Sequence, residues 1–152
     1  MSMGLKEQLE ADLKEAMKAG ETVRRDTLRM TLAALKNRAI ELGGTATVLD
    51  QDQCLAVVLG AVKTRKDSAS QYDDAKRDDL AKIERAEIEV LQGYLPKALS
   101  EEETRAVVQA AIESSGATSN KQMGLVMKVV MGAHRGSVDG KLVQRLCAEL
   151  LS

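Results

Sequence analysis

Thr27-Leu28-Arg29-Met30-Thr31-Leu32-Ala33-Ala34-Leu35-Lys36-Asn37-Arg38-Ala39-Ile40-Glu41-Leu42-Gly43-Gly44 is the stretch that decides the fold of this chain. Leu28, Leu32, Leu35, Ala39 and Leu42 recur at alternating spacings of four and three, the seam of an amphipathic helix. The glycine pair behind Leu42 is the usual C-terminal stop. Upstream, Leu5, Leu9, Leu13, Ala16 and Met17 form a second stripe that halts at Gly20. Downstream, a third stripe starts near Asp50 or Asp52, either of which suits a helix cap, and runs through Leu55, Val58, Leu59, Val62, Ala69 and Tyr72. A fourth uses Leu80, Ile83, Ile88, Leu91 and Leu95. Such stripes are the seams of antiparallel helices joined by short turns rather than of an extended coiled coil. Between the third and fourth, Tyr72–Asp79 holds four aspartates and no glycine, so a turn and a single kinked helix both remain open.

Composition agrees with an all-α fold. Of 152 residues, 44% are hydrophobic and 30% charged, which supports a folded core and argues against disorder. Tyr72 and Tyr94 are the only aromatic residues and Pro96 the only proline, so the core must come from Leu, Val, Ile, Ala and Met. The clearest boundary is Gly93-Tyr94-Leu95-Pro96, where proline biases Leu95 to extended backbone. It divides an N-terminal helical domain of about four helices (1–95) from a small three-helix module (96–152). In the module, Ser100-Glu101-Glu102-Glu103 reads as a capping box before a helix carrying Val107, Val108, Ala111 and Ile112 and stopped by Gly116. Two further helices are expected over Asn120–Met131 and Asp139–Leu151, the latter capped by Asp139 and striped by Val143, Leu146, Cys147 and Leu150. A module this small is marginal alone and is expected to lean on its neighbour or a partner.

The chemistry that the chain excludes is broad. Its one histidine, His134, stands beside Arg135 in an expected loop, with no metal-ligand spacing around it. No phosphate-binding glycine loop is present, and nothing supplies a nucleophile with a base. Asp73, Asp74, Asp78 and Asp79 read as cap residues of a solvated turn, and Cys54 and Cys147 as small buried hydrophobes. No active site, metal or cofactor is expected. The polar stretch Lys6–Glu15 contains no apolar h-region and no run reaches spanning length, which reads as a cytosolic protein away from membranes.

What remains is charge and glycine near the end of the chain. The net charge is −1, but residues 116–152 carry Lys121, Lys128, Arg135, Lys141 and Arg145 against Asp139 and Glu149. Those five cations are the candidate phosphate contacts. The tail has no aromatic residue for base stacking, so any RNA would be held by backbone and shape. The basic residues of the second and third stripes, among them Arg24, Arg25, Arg29 and Arg65, read as paired or solvating. Met123-Gly124-x-x-Met127 and Gly136-x-x-Asp139-Gly140 place glycines where an ordinary packing helix would not, at about 1 kcal/mol for each interior glycine. Met123, Met127 and Met131, four apart, read as core, with an adaptable binding groove as the alternative.

At these residues the chain resembles the YqeY family, whose tail is similar to the C-terminal tail of GatB, the tRNA-binding subunit of the glutamine-dependent tRNA amidotransferase. The resemblance is carried by Arg25-x-Thr27-Leu28-Arg29, by Lys63-x-Arg65-x-x-Ser68-x-x-x-Tyr72, and by Arg77-x-Asp79-Leu80-x-x-x-Glu84-x-x-Glu87-Ile88-x-x-Leu91-x-x-Tyr94-Leu95-Pro96. In the tail it is carried by Gly124, Met127, Gly136, Asp139 and Gly140. Two positions depart from the family pattern: Lys76 stands where glycine is usual, and Ser137 where a basic residue is common. The resemblance implies a non-catalytic tRNA-associated accessory protein. The alternatives are a protein-interaction adapter that uses a Met-lined tail groove, and a carbon–nitrogen ligase with glutamine as amido donor, for which no catalytic residues are seen. The partner, tRNA or protein, and the oligomeric state stay open.

Overall fold

The computed structural model describes residues 4–44 and 46–151, and all regular structure among them is helical. Two compact units meet at the Leu95–Pro96 bond. The first holds α1 (Leu5–Ala19), α2 (Thr22–Gly43), α3 (Gln51–Asp74) and α4 (Asp78–Gln92). Its core joins Leu9, Leu28, Leu35 and Cys54 on one side and Val58, Val62, Ile88 and Leu91 on the other. Thr27 and Thr31 are buried with their hydroxyls donating to the carbonyls of Val23 and Thr27, both at 2.8 Å, so neither leaves a polar atom unmet. The stripes overreach at their edges: Met17, Leu42 and Ile83 are 50, 44 and 52% exposed.

Local chemistry sets the helix ends. Asp50 caps α3 through a reciprocal box, accepting from the Gln53 amide at 2.7 Å while its own amide donates to Gln53 Oε1 at 2.9 Å. Asp52 falls in the first turn instead, where a carboxylate favours the helix dipole. After α1, the Glu21 amide donates to the Ala16 carbonyl (3.0 Å) and the Gly20 amide to Met17 (3.4 Å), with Gly20 at φ 72°. The same six-residue closure ends α3: the Arg77 amide donates to Tyr72 (2.8 Å) and the Lys76 amide to Asp73 (3.1 Å). Here the left-handed position is held by Lys76, at φ 58°. The kinked-helix alternative is thereby removed, since α3 and α4 are separate helices with a turn between them.

The second unit comprises α5 (Glu101–Ser115), a 3-10 turn (Asn120–Gln122), α6 (Met123–Ala133) and α7 (Gly140–Leu151). Val108, Ala111, Val126, Val130, Val143, Leu146 and Cys147 form its core. The Ser100 box is present: Ser100 Oγ accepts from the Glu103 amide and Glu103 Oε1 from the Ser100 amide, both at 3.1 Å. Asp139 Oδ1 accepts the Lys141 amide at 3.0 Å and so caps α7. Between α6 and α7, Gly136 lies at φ 84°, and the next residue, Ser137, accepts the Leu99 amide at 2.8 Å. Gly124 is different. It is exposed, and a Cβ there would meet no atom within 4 Å.

Two stability series follow. Lys76→Gly should raise the unfolding free energy by about 1 kcal/mol, since an L side chain in the left-handed region costs about 1–2 kcal/mol. Lys76→Ala should leave it nearly unchanged, read from urea midpoints at constant slope. In the tail, Gly124→Ala should stabilise by about 1 kcal/mol and Gly136→Ala should destabilise by about as much; equal effects of the two would refute the distinction.

Candidate functional site

The second unit displays all five cations singled out in the sequence, but not alike. Lys121 lies in the 3-10 turn, Lys128 on α6, Arg135 in the loop after it, and Lys141 and Arg145 one turn apart on α7; all five are exposed. Lys128 sits two residues from both Val126 and Val130, about 200° round the helix from the buried face. On α7, Lys141 and Arg145 likewise face away from Val143, Leu146 and Cys147. The Arg145 guanidinium, however, grips Glu101 at the start of α5, and Arg105 reaches Glu149 across the same α5–α7 seam at 3.1 Å. Arg145 is thus spent largely on packing two helices. Among the described residues, no ion pair engages Lys121, Lys128, Arg135 or Lys141.

Linear counting overstates the charge of this region. Residues 96–152 hold seven Lys/Arg against six Asp/Glu, a net of +1, because α5 opens with Glu101, Glu102 and Glu103. Half of those acids, Glu101, Glu102 and Glu103, gather at the start of α5, while Lys128, Arg135, Lys141 and Arg145 fall on α6, on α7 and in the loop between them. Met123 and Met127 are half-buried against the core. A groove of about 430 Å³ does mark this unit, but it is lined by α5 and α6 residues such as Ala106, Ala110, Ser114, Val129 and Ala133, with no methionine among them. The methionine repeat was the wrong signal for it, because the row at 123, 127 and 131 turns partly inward.

Polar chemistry in the first unit lies deeper. Arg65 is only 8% exposed, and its Nε donates to Glu87 Oε2 at 2.8 Å while Nη1 donates to the Ala61 carbonyl at 3.1 Å. Burial and the neighbouring Glu87 charge push the Glu84 carboxyl up, with Arg65 opposing. The sequence did hold a signal for this: Val58, Val62, Arg65 and Ala69 keep the four-three-four spacing of a buried seam, with arginine in an apolar slot. At the far end of α4, the Tyr94 hydroxyl donates to Asp12 of α1, which also lies 3.8 Å from Arg24 of α2. Burial and that carboxylate push the Tyr94 phenol up to about 12, so it stays a neutral donor.

Nucleophilic and metal chemistry find little support here. Cys54 and Cys147 are free and buried, and burial pushes both thiols up, away from the reactive thiolate. Cys54 does border a cavity of about 600 Å³, whose apolar wall includes Leu32 and Leu35 and whose rim carries Lys6, Glu10 and Lys36. Among the described residues no cluster of His, Cys, Asp and Glu has metal-binding geometry. Removing the buried cation tests its structural role. Arg65→Met should cost about 3 kcal/mol at pH 7, because it strands carboxylates in a partly buried site. The difference from the parent should shrink as pH falls through the carboxylate range, since Glu84, already pushed up, then takes a proton. A loss independent of pH would refute the electrostatic account.

Sequence comparison supplies relatives. The protein named "Altered inheritance of mitochondria protein 41, mitochondrial" of Clavispora lusitaniae is 36% identical over 126 residues, covering 80% of this chain and 71% of the relative. The protein of the same name from Pyrenophora tritici-repentis is 30% identical over 147 residues, covering 94% and 78%. That of Kluyveromyces lactis is 36% identical over 104 residues, covering 66% and 55%. Their names correct the cytosolic assignment made from the polar stretch Lys6–Glu15. An apolar h-region marks secretion alone, so its lack does not separate the cytosol from other compartments. Among the described residues no helix is long and apolar enough to cross a membrane. Since the sequence also matches the family described as Yqey-like protein over residues 6–151, through both helical units, the chain belongs to that family.

Proposed function

We propose that this protein is a non-catalytic, tRNA-associated accessory protein whose second unit touches the RNA through backbone phosphates. The observation that carries the reading is the set Lys121, Lys128, Arg135 and Lys141, all exposed and none in an ion pair among the described residues. Phosphate binding needs donors free to exchange counterions for phosphate, and these four meet that need. Arg145 contributes less, because Glu101 already holds it. The likeness of the Gly124, Met127, Gly136, Asp139 and Gly140 pattern to a tRNA-binding tail supports the same ligand. The relatives' names tie them to mitochondria and specify no ligand, so the reading rests on the charge.

In this reading the chain performs no chemistry of its own. The glutamine-dependent ligase alternative is assigned no residues, and the buried, raised thiols supply it no nucleophile. The adapter reading is favoured by one observation, the groove between α5 and α6 with Leu125 and Val129 exposed beside it.

Titration of labelled tRNA at several salt concentrations tests the proposal. Affinity should fall steeply with salt, and Lys128→Ala with Arg135→Ala should flatten the logarithmic slope by about 2, near 0.9 for each lost contact. Arg145→Ala should change it less. Absence of binding at low salt would overturn the reading, and glutaminase or amide-transfer turnover by the isolated chain would restore the enzyme alternative.

A further inference from the structure

We propose that the free protein forms a homodimer in which the α5–α6 faces of two copies pack together about a twofold axis parallel to those helices. The face is built in two unlike halves. On α5, Ala106, Ala110 and Ser114 recur every fourth residue and leave a shallow trough. On α6, Leu125 and Val129 stand four apart and are 51 and 41% exposed, large apolar groups left in water beside a groove of about 430 Å³. The short connection through residues 116–119 and the 3-10 turn makes α5 and α6 antiparallel neighbours. Small residues on one helix and large ones on its neighbour make the surface complementary to itself.

The choice of axis follows from charge. A twofold axis along the helices lays α6 of one copy over α5 of the other, so that each copy's Leu125 and Val129 enter the other's trough. On the outer edge of the α5 row stand Glu102 and Glu113, and on the outer edge of α6 stands Lys128. In this arrangement acid meets base along both edges, each copy's Glu113 lying towards the partner's Lys128. An axis across the helices would set α5 on α5 and acid on acid, which costs rather than gains. A helix of a different protein would need this same unlike pattern, whereas a second copy carries it already. Lys121, Arg135 and Lys141 are assigned no part in the pairing, while Lys128 is contested, so RNA and a second copy compete for it.

The test is the mass of the full chain in solution without RNA, by sedimentation equilibrium up to about 200 μM at low and high salt. The expected result is a mass of about 33 kDa, twice 16.4 kDa, with a micromolar dissociation constant that rises with salt. Ala110→Trp, which fills the exposed trough, and Val129→Glu should each weaken association at least tenfold, with circular dichroism confirming that both fold. Glu113→Lys should weaken it about tenfold, and adding Lys128→Glu should restore it, a rescue that a general loss of stability would not give. A monomer at every concentration overturns the proposal. So does a dimer indifferent to both Ala110→Trp and Val129→Glu, which would locate the interface elsewhere.

Discussion

With two tyrosines and no phenylalanine or tryptophan in 152 residues, the chain must build its interior from short aliphatic side chains, and every other feature follows from that constraint. Burying a side chain such as valine or leucine returns only about 1.5–3 kcal/mol, so many must be brought together, and helices must approach closely along continuous seams. The largest fully buried side chains are accordingly aliphatic: Leu9, Leu28, Leu35, Leu91 and Leu146, with Val58, Val108, Val126, Val130 and Val143 beside them. Helix ends therefore cannot be left loose. The boxes at Asp50 and Ser100 and the left-handed closures at Gly20 and Lys76 satisfy the end groups that solvent or a larger core would otherwise have to meet.

Within the first unit, polar groups set the register of the aliphatic seams. Apolar packing alone tolerates sliding, because leucine and valine are nearly interchangeable along a stripe. Arg65 cannot slide: its guanidinium fits one carboxylate on α4 and one carbonyl of its own helix. The Tyr94 hydroxyl fixes the end of α4 against Asp12 of α1 in the same way. Mispairing would strand a buried charge or hydroxyl at a cost larger than any single aliphatic contact. The Arg65–Glu84–Glu87 group belongs to this architecture, joining α3 to α4.

The second unit spends its polar residues differently. Two ion pairs lace α5 to α7, which removes Arg145 from a surface that linear reading would have left it on. The cations that remain stand on α6, on α7 and in the loop between them. Next to them runs an Ala-lined groove with exposed Leu125 and Val129. Charge and groove thus lie side by side on the exposed surface of this unit.

Period and punctuation were enough for the all-α class, for most of the helices, for the caps at Ser100 and Asp139 and for the burial of both cysteines, because each depends on residues a few positions apart, while the turn between α3 and α4 stayed open. Membership of the family was legible for the same reason, in ordered local motifs. Lys76 was readable as a position where glycine would be easier, and the backbone there does take positive φ. Tertiary structure alone decided which charges are spent. Whether an arginine pairs depends on what lies 44 residues away, as with Arg145 and Glu101, or 22 away, as with Arg65 and Glu87. It also decided which face of α6 is left in water, since a helix in isolation has an apolar side but no neighbour to say how much of it will be covered.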